Sequence, residues 1–313
     1  YHLLFQQVLP KHMYQNRLLD FNAQHPVNFT PIGTGPFIFK EWKQNEHLYL
    51  DSYPHFHLGK GYLDQIRYQF RSMDLTRLPK VLDFLKDSEV VEGLSILAFE
   101  HLKHRSEIEI YVQPNYQIEH LDFNTQDSIL SDQRVRKALA YAIDKNKLKE
   151  LFYNLAELAY SDQHKNSWKY NSQVETFYSY EPEMSQSLLR QAGWQENPEW
   201  GWTKDGDPLT LTLTAIRGNK AHLLTAEYLK YAFAKIGVTL QLDFLPAEVL
   251  MTKRLPTGSF QIALYPWDSS PEANSYARWH STQAPPRGQN YTRLTDIEID
   301  GLLNEIQTTT DVV

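Results

Sequence analysis

The stretch Tyr265, Pro266, Trp267, Asp268 puts a large flat indole beside a carboxylate. A carboxylate next to an aromatic surface can hold a cation such as a peptide α-ammonium, by a charge-assisted hydrogen bond with aromatic packing alongside. The stretch follows an apolar run, Phe260 to Tyr265, that reads as a buried strand. Loops after such strands are where α/β folds place ligand contacts. Read from residue types alone, the pair fits equally a turn aspartate beside a core tryptophan.

Other residues invite chemistry and do not complete it. Gly33, Thr34 and Gly35 lack the Lys-Ser/Thr of a phosphate loop and the third glycine of a dinucleotide fingerprint, and they lead into a strand. A tight turn accounts for them. The pairs His55/His57 and His101/His104 have no third ligand at a metal-site spacing. There is no Gly-x-Ser-x-Gly, and Ser259 stands at a strand start, where a turn serine belongs. Glu196 and Glu199 fall in a Pro/Trp-rich loop. No triad, metal signature or cofactor motif emerges, so the reading is a non-enzymatic protein with no cofactor.

Composition narrows the classes further. The chain has 313 residues, 42% hydrophobic and 13% aromatic, enough for two domain-sized cores. A net charge of -7 with no Lys/Arg-rich run argues against a nucleic-acid surface. There are no cysteines, which excludes disulfides, thiolate metal sites and thiol nucleophiles. No window approaches the roughly 18 apolar residues that span a bilayer, and the residues given begin without an export-signal pattern.

Periodicity supplies the elements. Phe37–Trp42, His47–Asp51 and Asp64–Phe70 read as strands, the last with Ile66, Tyr68 and Phe70 on one face. Pro79–Lys86 reads as an amphipathic helix. Ile108–Val112 and His120–Phe123 read as β-rich segments. Ser131 or Asp132 can cap a helix carrying Val135, Leu139, Ala142 and Ile143 on one face. A helix from Pro182 to Ala192 turns Met184, Leu188 and Leu189 inward and ends at Gly193. Leu209–Thr214, Ala221–Ile236 and Val238–Phe244 form a strand, a helix and a strand, a βαβ unit with Gly237 closing the helix.

Three phrases stand in fixed order along the chain: Pro31 to Phe37 (Pro-Ile-Gly-Thr-Gly-Pro-Phe), Leu121 to Thr125 leading into Asp132–Leu139, and Trp267-Asp268 followed by Gly288 to Tyr291. Gly61–Ile66, Tyr180–Trp194 and Asp296–Leu303 add to them. Together they resemble the extracytoplasmic solute-binding proteins of ABC importers, in the oligopeptide/dipeptide-binding family, from about residue 8 onward.

The resemblance implies an α/β, two-lobe periplasmic-binding-protein-like (class II) fold, incomplete in this chain. Residues 1–116 would form part of lobe one, 117–124 a hinge crossing, and 125–313 lobe two. It implies a receptor that captures a peptide or similar small solute in an interlobe cleft and docks on a membrane permease, at a periplasmic or membrane-anchored location. Asp268 matches the position that grips the peptide ammonium, with Trp267 and Tyr265 beside it. Arg254, or its neighbour Lys253, is the nearest basic candidate for the peptide carboxylate. Here the usual Asp-Tyr-x-Asp-Pro pattern reads Asp268, Ser269, Ser270, Pro271, which opens the choice of solute. The alternative is the ligand-sensing domain of a cytoplasmic transcription regulator.

Overall fold

The computed structural model describes residues 29–70, 78–94, 96–113, 115–268 and 275–308. Between Ile110 and Tyr111 the chain divides into two compact units.

The first unit is built on an antiparallel meander. Strands β1 (Phe37–Lys43), β2 (His47–Ser52) and β3 (Gln65–Gln69) lie in that order. Their aromatic and β-branched residues suit a pleated, half-buried surface. The β1–β2 register shifts between Phe39 and Glu41, a bulge at Lys40. Of the face expected from Ile66, Tyr68 and Phe70, only Ile66 is partly covered; Tyr68 and Phe70 are exposed. Helix α1 (Leu78–Asp87) matches its expected span. Helix α2 (Ile96–Leu102) was not expected, because seven residues are too few to display a helical period. Ala98 and Leu102 of α2 form a small core with Leu82 and Leu85 of α1. Ile108 and Ile110 join that core from irregular backbone, so the strand expected at 108–112 does not form. An alternating segment becomes a strand only where a ladder partner is available, and no described strand pairs with it.

The second unit carries a four-stranded mixed sheet. Its strands are β4 (Gln117–Phe123), β8 (Thr210–Ile216), β9 (Thr239–Leu245) and β10 (Ile262–Asp268), in the order β4-β10-β8-β9. A separate small sheet joins β5 (Gln195–Asn197), β6 (Gly201–Lys204) and β7 (Asp207–Pro208). Strands β8, β9 and β10 run parallel and β4 runs against β10. Residues 117–123, expected as a crossing, are thus a fully laddered strand of this sheet.

One face of the sheet packs against helices. Leu211, Leu213 and Ala215 of β8, Leu240 of β9, and Ile262 and Leu264 of β10 meet α3 (Gln133–Tyr141), α5 (Pro182–Gln191) and α6 (Lys220–Lys235) in the main core. Helix α4 (Lys145–Leu151) lies between α3 and α5 in the chain. The Asp132 carboxylate caps α3 by accepting the Arg134 N–H at 2.8 Å. In α5 the buried positions are Ser185 and Leu189, while Met184 is 37% exposed, which corrects the inward face expected for it. Ser185 can turn inward because its hydroxyl donates to the Ala138 carbonyl at 2.6 Å, satisfying the buried oxygen. The βαβ unit forms as read, β8-α6-β9, with Asn219 capping α6 and Gly237 following it at φ +79°.

The opposite face carries a second core of Leu250, Leu255, Phe260, Ala263, Tyr265 and Trp267. It is covered by the helical segment 247–257, by α7 (Ser275–Trp279) and by Tyr291. Helix α8 (Ile297–Thr308) follows.

The close approach of Gly201 to Gly237 pins β6 against the end of α6. A Cβ on Gly201, which has φ +78°, would stand 2.2 Å from the Gly237 carbonyl oxygen. Gly201→Ala is therefore expected to lower unfolding free energy by about 2–4 kcal/mol. Gly301→Ala, inside α8 with open space around it, is expected to raise stability by about 0.5–1 kcal/mol. Urea midpoints of the two variants check the contrast.

Candidate functional site: the end of a central strand

The ladder between β4 and β10 runs from Phe123↔Ile262 to Gln117↔Asp268. Just before it, the Asn124 N–H donates to the Gln261 carbonyl at 2.9 Å. In an antiparallel ladder hydrogen-bonded rows alternate, so residues 261, 263, 265 and 267 bond to β4. The backbone groups of 262, 264, 266 and 268 point the other way. There β8 takes up Ile262 and Leu264, but its pairing stops at Leu264↔Ala215. Beyond that point, among the described residues, no strand pairs with the outer edge of β10. Pro266 offers a carbonyl to that edge, and Asp268 offers an N–H and a carbonyl.

The sequence placed Trp267 and Asp268 in a loop after the strand. Both belong to β10 itself. The cause is Pro266, which normally ends a strand because it lacks an N–H. Here its nitrogen faces the unpaired edge, so no ladder bond is lost.

Tyr265 and Trp267 share one face and are buried at 0% and 7% exposure, so both are core residues. The Tyr265 hydroxyl donates to Asp122 Oδ2 at 2.5 Å. Burial pushes the Tyr265 phenol well up, and the neighbouring Asp122 charge adds to it. The His120 ring lies 3.7 Å from Trp267 and 4.3 Å from Tyr265 between centroids, and His120 Nε2 is 3.4 Å from Asp122 Oδ1. On the other side of Trp267 stand the edge of Trp279 at 5.2 Å and the Arg278 guanidinium at 4.8 Å from the ring centroid. Helix α7 is tied down by Asp162, which accepts from Ser275 Oγ at 2.8 Å and Trp279 Nε1 at 3.0 Å. The end of β10 is therefore held rigidly from one face.

Asp268 closes the ladder opposite Gln117. Residues 269–274, which follow it, lie outside the described residues. Arg254 is not brought to this place. Ala263, Thr214 and Asp243 form one row across β10, β8 and β9, and the Arg254 guanidinium lies 3.6 Å from Asp243. Asp268 comes five positions later in β10, about 16 Å away at the rise of an extended chain. Lys253 shares the turn of Arg254.

The sequence reading assigned no role to the polar residues that shape this region. Asn124 Nδ2 donates to the carbonyls of Gly258 at 3.0 Å and Phe260 at 2.9 Å, fixing the entry to β10. Asn290, fully buried, donates to the carbonyls of Trp279, His280 and Leu294 and holds the chain behind α7. His222 Nδ1 accepts the Ile216 N–H at 3.0 Å, which leaves Nε2–H to donate to Glu119 at 2.9 Å. The signal available was polar residues at alternate positions of an apolar strand, as at His120 and Asp122.

A family model described as bacterial extracellular solute-binding proteins, family 5 middle, matches residues 6–286. The chain belongs to this family of solute-binding proteins. It is 25% identical over 320 residues to the oligopeptide-binding protein AppA of Bacillus subtilis, an alignment covering 97% of this chain and 56% of that protein. Against the dipeptide-binding protein of Escherichia coli it is 23% identical, covering 98% of this chain and 56% of that one. The structure of NikZ from Campylobacter jejuni in complex with Ni(L-His) superposes with a TM-score of 0.73 at 24% identity, over 97% of this chain and 60% of that chain. The fold is thus that of the two-lobe periplasmic binding proteins. The chain spans about half the length of the curated relatives it matches. Among the described residues no helix is long and apolar enough to cross a membrane.

The Tyr265–Asp122 contact is open to direct test. Tyr265→Phe leaves a buried carboxylate without its donor and is expected to cost about 1–3 kcal/mol of stability. Urea unfolding checks it; a change within about 0.5 kcal/mol would mean that Asp122 does not depend on the phenol.

Proposed function

We propose that this chain is the ligand-gripping portion of an extracytoplasmic receptor that delivers a peptide to an ABC importer. The observation that carries the proposal is the half-paired end of β10. An extended peptide can add alongside Pro266 and Asp268, matching main-chain donors and acceptors as a further strand. Asp268 then lies where the peptide begins, and its carboxylate receives the α-ammonium. Tyr265 and Trp267 act from beneath, holding the strand straight against Asp122, His120 and α7.

The names of the relatives that bind oligopeptides and dipeptides agree with this chemistry. The receptor would close two lobes on the solute and present the closed form to a membrane permease, with ligand binding favouring the closed state. The hinge of that closure is proposed at the crossing strand, residues 117–124. Arg254 lies apart from the strand end and takes no part in this reading. No specific observation favours the regulator alternative.

Thermal unfolding against di- to pentapeptides, sugars and nickel chelates tests the proposal, because a ligand that binds only the folded state raises the midpoint. Peptides are expected to raise it, and sugars and chelates to leave it unchanged. Asp268→Ala is expected to weaken peptide binding about tenfold or more, the scale of one charge-assisted bond. N-acetylation of the peptide should cost wild type as much and the variant little. Equal affinity of wild type and variant would remove Asp268 from the site, and a shift with sugars or chelates alone would replace the peptide.

A further inference from the structure

A recess lies on the sheet away from Asp268, near the start of β10. It has a volume of about 330 Å³ and opens between the entry to β10, Thr212 and Thr214 of β8, Asp243 of β9 and the turn carrying Arg254. That is at the lower end of volumes that hold small ligands. Its frame is already satisfied. Asn124 spends both amide protons on Gly258 and Phe260. Asp127 accepts from the Ile129 and Leu130 N–H groups and from the Gln261 side chain. Gln261 in turn accepts the Thr212 N–H at 2.8 Å.

Four lining groups keep unused capacity. Thr212 and Thr214 stand two positions apart on one face of β8, and among the described residues neither hydroxyl has a hydrogen-bond partner, although Thr214 is only 2% exposed. Asp243 sits beside Thr214 on the next strand. The Arg254 guanidinium donates to the Ser259 carbonyl at 3.0 Å through Nη1, while Nη2 lies 3.6 Å from Asp243, beyond hydrogen-bond length. A loosely paired cation and anion, both partly exposed, thus face one recess beside the Thr212 and Thr214 hydroxyls.

We propose that this recess binds a free α-amino acid as its zwitterion. The ammonium would rest on Asp243 and the Thr214 hydroxyl, and the carboxylate on Arg254, so that each charge meets its opposite. A neutral polyol can use the hydroxyls but offers no charge to either member of the Arg254–Asp243 pair. The fixed frame lowers the ordering cost of binding. The site is separate from the strand end at Asp268 and does not depend on the peptide reading.

Titration calorimetry of the chain with each of the twenty free L-amino acids, and with glycerol and glucose, tests it. At least one amino acid is expected to bind, and to bind equally to the Asp268→Ala variant. Asp243→Asn and Thr214→Val, each close in shape to the residue replaced, are expected to reduce that affinity tenfold or more; Thr212→Val serves as the second hydroxyl variant should Thr214→Val not fold. Absence of amino-acid binding overturns the proposal. So does binding that survives the Asp243 and threonine variants, binding lost only in Asp268→Ala, or binding of glycerol or glucose in place of amino acids.

Discussion

Seven residues of β10 are laddered to β4, yet only the first three are laddered to β8. Most of the second unit follows from that mismatch. The fully paired side fixes the strand in the sheet and carries it past the end of the parallel region. The half-paired side leaves backbone donors and acceptors at a position where the strand is already straight. A paired strand end costs little further ordering when another strand arrives, whereas a free loop would have to lose its conformational freedom first. The face bearing Tyr265 and Trp267 supplies the stiffness. Asp122 accepts the phenol's hydrogen bond, the His120 ring contacts both Tyr265 and Trp267, and Arg278 and Trp279 pack on Trp267.

Much of this was legible in the residues. The strict alternation in β8 and the glycine at 237 give the βαβ unit without further information, because each is a local signal. Asp132 announces α3 for the same reason. The family phrases acquire physical roles in the structure. Asn124 ties the strand entry to Gly258 and Phe260, and Asn290 ties down the chain behind α7. Those roles could not be read from the chain, since the partners of Asn124 lie more than a hundred positions away. Local spacing carries no information about such contacts.

The misplacements have equally local causes. Pro266 reads as the end of a strand until the direction of its nitrogen is known, and direction depends on register. Met184 reads as a core residue because it is apolar, but the helix is turned so that Ser185 and Leu189 face inward, and a serine with a backbone acceptor is an acceptable core residue. Arg254 is close to Asp268 in sequence, yet the length of β10 separates them, and Arg254 stays beside the start of that strand. The two ends of β10 are therefore chemically different. The exit end of β10 offers main-chain groups and Asp268, and the entry end offers side-chain charges of both signs around two threonine hydroxyls.

Amide hydrogen exchange along β10, with and without a bound peptide, addresses the account most directly. If the peptide adds as a strand, the Asp268 amide is protected on binding, while the amides of Tyr265 and Trp267, already bonded to β4, change little. Unchanged exchange at Asp268 in the presence of a bound peptide would contradict strand addition and place the ligand elsewhere.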